Sequence, residues 1–232
     1  MHHFVVVMSH TTHPGNIGAA ARAMKSMGLS ELRLVQTVSH QDPVAYHRSS
    51  GAEDLLYNAQ CYDSLASALS DCHYAIATSG RHRASSNPQC ICARKLPSHL
   101  STLASHSRIA LVFGNEQNGL DNQDIQQCHL QVAVPTNPDF KSLNVAACVQ
   151  LICFLCSEYH TSDIKNSPEN RATHEQINAL VNTLSQHVFE HETDKSLHDI
   201  NKLRQLSYRY QLSADEVDFI HGVIRRLVKQ IN

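Results

Sequence analysis

The opening of the chain constrains its fold more than any other feature. Residues 4–8 form the run Phe-Val-Val-Val-Met, suited to a buried strand. Residues 9–18 (SHTTHPGNIG) are mostly turn formers. Residues 16–27 then read as a helix, with Ile17, Ala20, Ala21, Met24 and Met27 on one face and Gly28 placed to end it. Residues 32–35 supply a second strand. Strand, loop, helix and strand in that order are the signature of a parallel sheet flanked by helices.

The alternation continues. Residues 65–69 read as a helix and 74–78 as a strand, followed by a polar loop, 79–92, that carries Arg81 and Arg83. A helix over 96–105, a strand over 109–113 and a helix over 121–127 with Asp121 as its N-cap come next. A strand over 130–134 and a loop over 135–141 lead to a long, mostly apolar helix over 142–159, capped by Ser142 and buried in the core or against a partner subunit. Residues 161–170, polar and containing Pro168, read as a linker. Beyond it strand signals stop. Helical spacing covers 171–190 and 197–206, and Ser213 with Glu216 forms a capping box before a third helix carrying Val217, Ile220, Ile224 and Leu227. The expected organisation is an α/β domain over 1–160, a linker over 161–170 and a small all-helical unit over 171–232. A chain of 232 residues suffices for one core of about 150 residues and a smaller second unit.

Composition narrows the function classes. A formal net charge of −2 gives no bulk case for nucleic acid, so such contact must come from local patches or from a dimer that joins them. The start lacks the pattern of a signal peptide, and the most apolar stretch, 145–156, is too short for a bilayer. The expectation is a cytoplasmic protein with no membrane contact and reduced cysteines, Cys148, Cys153 and Cys156 acting as small hydrophobes. Seventeen scattered histidines are read as surface composition. Cys90-Ile-Cys92 with His99 lacks zinc-ligand spacing, and no metal is expected. Cys128-His129 is read as packing and surface.

Three segments can carry chemistry, and each lies at a strand-to-helix junction. The first runs from Gly15-Asn16-Ile17-Gly18 to Arg22, which lies about one and two-thirds helical turns beyond Asn16 and can project toward a phosphate or oxyanion. The second is Phe113-Gly114-Asn115-Glu116-Gln117-Asn118-Gly119-Leu120, at the carboxyl end of a strand, where open α/β sheets bind ligands. It is neither a P-loop nor a dinucleotide fingerprint. The third, Asn137-Pro138-Asp139-Phe140-Lys141-Ser142-Leu143-Asn144, is a loop entering a helix whose N–H groups can hold an anion. Alone, each is also compatible with an ordinary turn.

Taken in order, the three segments resemble the motifs of the SPOUT superfamily, in particular its TrmH-like branch of RNA ribose 2′-O-methyltransferases. The likeness is strongest over residues 3–160 and extends more weakly into the tail. Within that branch the chain is most similar to the tRNA (cytidine/uridine-2′-O)-methyltransferases acting at position 32 of the anticodon loop. The resemblance implies a sheet between helices whose later part forms a deep trefoil knot, a homodimer with the active site at the subunit interface, and tRNA as partner. It implies S-adenosylmethionine as cofactor, held by Thr78, Ser79, Gly80, Gly114, Val134, Lys141, Ser142, Leu143 and Asn144. Arg22 takes the place of the catalytic arginine, with Asn16, Glu116 and Ser142 shaping the site. RNA contact is expected from Arg22, Arg81 and Arg83, and from Lys202, Arg204 and Arg209 beside Tyr208 and Tyr210 in the tail. Asn115, Lys141 and Gly80 depart from the family pattern. Another tRNA or rRNA site, or a non-catalytic RNA-binding protein, are the alternatives.

Overall fold

The computed structural model describes residues 2–79, 88–137, 139, 142–158, 170–188 and 194–231. Its strands are β1 (His3–Ser9), β2 (Glu31–Val35), β3 (Gln60–Tyr62), β4 (Tyr74–Ser79), β5 (Cys90–Cys92), β6 (Arg108–Phe113) and β7 (Leu130–Ala133). All pair in parallel, in the order β3-β2-β1-β6-β4-β7-β5. Helices α1 (Pro14–Ser26), α2 (Pro43–Ser49), α3 (Glu53–Tyr57), α4 (Leu65–Leu69), α5 (Leu96–Leu100), α6 (Asn122–Gln126) and α7 (Val145–Ser157) connect them. Strands β6 and β7 each enter between strands laid down earlier. The path that would complete the expected knot includes 80–87, 138, 140 and 141, outside the described residues.

Side chains alternate across the sheet. Val6, Met8, Ile76, Leu111 and Phe113 face one side, where they pack with Ile17 and Met24 of α1 and Val149 and Ile152 of α7. Val5, Val7, Ala75, Ala77 and Val112 face the other, covered by Leu65 and Leu69 of α4 and Ile125 of α6. The first face thus carries the two 13-residue helices, joined by α2, α3 and α5, whereas α4 and α6 on the other have 5 residues each.

Local chemistry explains the boundaries. Pro14 starts α1, His13 Nδ1 accepts from the Gly15 N–H, and Gly28 at φ +77° lets Leu29 N–H close on the Met24 carbonyl. Gly18 is needed for helix packing, because a Cβ there would enter the backbone of Ala45 in α2. The helix expected over 96–105 stops at Leu100, where Ser101 and Thr102 hydroxyls bond back to the carbonyls of Ser98 and His99. The polar loop expected over 79–92 ends in an edge strand, β5.

The tail forms α8 (His174–Val188), α9 (Asp194–Tyr210) and α10 (Ala214–Ile231) around Ile177, Leu180, Val181, Tyr208 and Val217. Ser213 and Glu216 make the reciprocal capping box before α10. The tail docks at the amino ends of β4 and β7, opposite the three motif loops. Main-chain bonds run from His174 to Cys72 and from Glu175 to Ser70, and the Tyr208 ring stacks on His129 at 3.7 Å. Among the described residues no helix is long and apolar enough to cross a membrane.

Candidate active site

The loops after β1, β6 and β7 meet at the carboxyl ends of the strands, and Glu116 is their hub. One carboxylate oxygen accepts from the Thr12 N–H (3.1 Å) and hydroxyl (2.8 Å). The other accepts from Asn16 Nδ2 at 2.8 Å and the His13 N–H at 3.3 Å. Asn16 Oδ1 in turn accepts from Asn144 Nδ2 at 3.0 Å, and Asn144 Oδ1 accepts from the Ala146 and Ala147 N–H groups at the start of α7. This relay permits one orientation of each amide, because Glu116 only accepts and the helix N–H groups only donate. Partial burial raises the Glu116 pKa, but the bonds from Asn16 and Thr12 outweigh it and hold the carboxyl below its usual range.

The loop carrying Glu116 is built for a tight reversal. Asn115 Oδ1 accepts from the Gln117 and Asn118 N–H groups, and the Gly119 N–H closes on the Asn115 carbonyl. Gly119 sits at φ +71°, and a Cβ on Gly114 would enter the backbone of Gly119 and Leu120. Asp121 then caps α6 through the Asp124 N–H.

Beneath the relay lies a cavity of about 370 Å³, within the range of small-molecule sites. Thr78 and Ser79 at the end of β4, Gly114, Glu116, Val134, Ser142 and Leu143 line it, together with Leu120 and Ile125 around α6 and Cys148 of α7. Thr78 is anchored by its hydroxyl to the Val112 carbonyl at 2.9 Å.

Most of the residues singled out in the sequence therefore converge. Asn16, Glu116 and Asn144 share one relay, while Thr78, Ser79, Gly114, Val134, Ser142 and Leu143 wall the cavity. Arg22 lies on the exposed side of α1, away from the cavity wall. Gly80, Arg81, Arg83 and Lys141 lie outside the described residues. The helix expected from 142 begins at Val145, and its cap is Asn144 rather than Ser142. Asn144 bonds two N–H groups of the first turn, whereas Ser142 precedes the helix and faces the cavity.

The tail residues divide differently. Lys202, Arg209 and Tyr210 are exposed. Arg204 is half-buried and donates to Asn178 Oδ1 (3.0 Å) and Asn201 Oδ1 (2.8 Å). Tyr208, read as a base-stacking residue, is buried against His129. Thr12 and His13 are partners of Glu116 that the sequence does not single out: two of their three donors are main-chain N–H groups, which leave no trace in residue type, and the third is the Thr12 hydroxyl in a loop of turn formers. Cys90 and Cys92 belong to β5, and His99 Nε2 pairs with the Tyr74 hydroxyl at 3.0 Å.

The chain thus joins a parallel sheet to a glycine-walled cavity and an amide–carboxylate relay at the carboxyl ends of its strands. Residues 3–154 match the SpoU rRNA Methylase family, and the chain belongs to it. Within it the chain is similar to the TrmJ methyltransferases. It is 34% identical to the tRNA (cytidine/uridine-2′-O-)-methyltransferase TrmJ of Pectobacterium atrosepticum, covering 97% of this chain and 96% of that protein. It is also 34% identical to the tRNA (cytidine/uridine/adenosine-2′-O-)-methyltransferase TrmJ of Pseudomonas aeruginosa, over 97% of this chain and 93% of that protein. The crystal structure of TrmJ from Z. mobilis ZM4 matches with a TM-score of 0.82 at 26% identity, covering 96% of this chain and 98% of that one.

Proposed function

We propose that the chain is an S-adenosylmethionine-dependent tRNA ribose 2′-O-methyltransferase, working as a homodimer on the cytidine or uridine at position 32 of the anticodon loop. The observation that carries this reading is the Glu116–Asn16–Asn144 relay, which binds three loops into one rim over the cavity. The relatives' activity on tRNA supports the substrate class.

The cavity fits the cofactor. Val134 and Leu143 offer apolar walls for an adenine, and two glycines in 114–119 open main-chain groups to a ligand. Thr78, Ser79, Gly114, Val134, Ser142 and Leu143 would hold it, with Gly80 and Lys141 assigned on the resemblance alone. When bound, S-adenosylmethionine supplies an activated methyl group carried on a sulfonium sulfur.

The protein's own task is to orient a ribose 2′-hydroxyl and ease the loss of its proton. Glu116 is saturated by donors and keeps the rim rigid, so it serves as a brace rather than as the base. A guanidinium, which keeps its proton in proteins, is no base either. Arg22 instead holds a substrate phosphate and stabilises the developing alkoxide with its charge. Its exposure on α1 leaves it available for that contact. Much of the rate comes from alignment of the hydroxyl with the methyl group.

A dimer brings Arg22 to a cavity. Ser26 of α1 bonds Gln150 of α7, so the two helices present a joint surface, on which Leu151 and Phe154 stay 43% and 46% exposed. A second subunit covering that surface would set its cavity near Arg22. Exposed Lys202, Arg209 and Tyr210, with Arg81 and Arg83 assigned on sequence alone, extend the RNA contact.

The test is transfer of labelled methyl to tRNA, with the product mapped by nuclease digestion and mass spectrometry. Wild type should label position 32. Arg22→Ala should lose about a thousand-fold in transfer rate while binding S-adenosylhomocysteine as wild type does. Full activity in the variant would remove Arg22 from the mechanism, and label elsewhere would reassign the nucleotide.

A further inference from the structure

We infer that the tail shapes the cofactor cavity through α6, with Gln205 and His174 acting as positioning residues. The inference rests on the reading of the cavity as a cofactor site.

Helix α6 has 5 residues, too few to be stable on its own hydrogen bonds. Its apolar side chains and its last carbonyls do different work. Leu120, just before the cap, and Ile125, the next-to-last residue of the helix, belong to the cavity wall. At the finish, the carbonyls of Gln126, Gln127 and Cys128 emerge with no further helical turn to receive them. The tail takes all three. Gln205 Nε2 donates to the Gln126 carbonyl at 3.0 Å and to the Cys128 carbonyl at 3.1 Å. His174 Nε2 bonds the Gln127 carbonyl at 2.8 Å. Asn201 Nδ2 adds a bond to Gln126 Oε1 at 2.9 Å.

These donors are themselves held. Arg204 donates to Asn178 Oδ1 and Asn201 Oδ1, and Asn178 Nδ2 bonds His174 Nδ1 at 2.9 Å. His174 therefore has one tautomer, with its proton on Nε2 facing the Gln127 carbonyl. Asn201, Gln205 and Tyr208 lie at helical spacing on one face of α9, so the stack of Tyr208 on His129 and the carbonyl bonds form one contact. His174 and Gln205 are buried, so water cannot replace them without opening the interface. Removing the donors leaves buried carbonyls unpaired, and the short helix relaxes by fraying. Ile125 and Leu120 move with it, and the cavity loses a wall. Linkage makes the effect mutual: a ligand that orders the wall must also favour the docked tail.

Gln205→Glu tests this, because it keeps the shape of the side chain and removes both N–H donors. In the full-length enzyme the KM for S-adenosylmethionine and the Kd for S-adenosylhomocysteine should rise about ten-fold, while the KM for tRNA changes less than about two-fold. Amide exchange across 119–128 should quicken in the variant, and S-adenosylhomocysteine should slow exchange in α8 and α9 of the wild type. If Gln205→Glu does not fold, Asn201→Ala removes the bond to the Gln126 side chain and the one Asn201 accepts from Arg204, leaves Gln205 on both carbonyls, and should raise the same Kd about two-fold to three-fold. Wild-type cofactor binding combined with unchanged Kd and exchange in the folded variants would overturn the inference. A wild type that binds no cofactor would instead overturn the assignment of the cavity, and faster exchange at 119–128 would still support the clamp on α6.

Discussion

The two ends of the sheet solve the same problem in opposite ways. Both carry loops full of polar groups. At the amino ends those groups are consumed inside the protein: His129 lies between Tyr74 and Tyr208, its Nδ1 accepts from the Ala75 N–H, and His174 bonds the Gln127 carbonyl. Further along that end, the buried Arg33 guanidinium bridges Glu31 and Asp71, holding the Asp71 carboxyl down at about 2. At the carboxyl ends the polar groups brace a rim and leave a cavity of about 370 Å³ open beneath it. One end is closed by the tail and supplies stability. The other keeps its side chains aimed at a space, which is what a binding site requires.

The sharpest way to break this contrast is at the closed end. Tyr208→Ala removes a buried ring that stacks on His129 and sits in the tail core. A loss of about 3–5 kcal/mol is expected, which for a chain of this length lowers Tm by about 10 °C. Thermal melting followed by circular dichroism measures it. A drop of only a degree or two would mean that the tail contributes little to closing this end.

Acid should separate the ends next. Burial pushes His174 down to about 4, so the unfolded chain, titrating near 6.5, binds the proton first as pH falls. The stabilising contribution of neutral His174 is complete above pH 6.5 and declines toward pH 4, by up to roughly 3 kcal/mol. His129 is lowered by burial in the same direction. Glu116 behaves otherwise: its lowered carboxyl contributes above its ordinary pKa and loses that contribution only as pH falls through the lower folded value. Melts at pH 7 and pH 5 should therefore differ by about 5 °C, with faster amide exchange in the tail and unchanged protection in the loops. Equal loosening at both ends would refute the division.

The sequence exposed these two ends unequally. The site was legible because its residues punctuate strands. Gly114, Glu116 and Gly119 follow an apolar run, and Asn16 and Asn144 stand at helix starts, where side-chain type reports backbone geometry. The tail helices were legible from the spacing of Ile177, Leu180, Val181 and Leu184 and from the Ser213–Glu216 box. Helices α2 and α3 were not: they have 7 and 5 residues, and α3 has no side-chain cap to mark its start. Nor was β5, three residues reading Cys-Ile-Cys. The tail contact was invisible for a deeper reason. Gln205 and His174 meet main-chain carbonyls, which any sequence supplies, so no complementary residue type announces the pairing. Basic and aromatic residues gathered in α9 suggested RNA contact for Arg204 and Tyr208, yet one orders Asn178 and Asn201 and the other is interior.

The smallest change in stability should give the clearest reading of the open end. Asn144 does two things at once: Oδ1 caps α7, and Nδ2 holds Asn16 against Glu116. Asn144→Asp separates them. Aspartate caps as well as asparagine and adds a favourable charge at a helix start, so stability should stay within about 0.5 kcal/mol of wild type. The variant cannot donate to Asn16, and its carboxylate faces Asn16 Oδ1, so the Asn16 amide turns over to donate to it and its oxygen then faces Glu116. Two carboxylates would compete for one amide, and the rim would loosen where α1 meets the third loop. Methyl transfer should fall about ten-fold to a hundred-fold with Tm unchanged. Unchanged transfer would reduce Asn144 to a helix cap and the relay to two loops. A loss of both activity and Tm would show that the open end also carries stability, and the contrast between the two ends would then be one of degree.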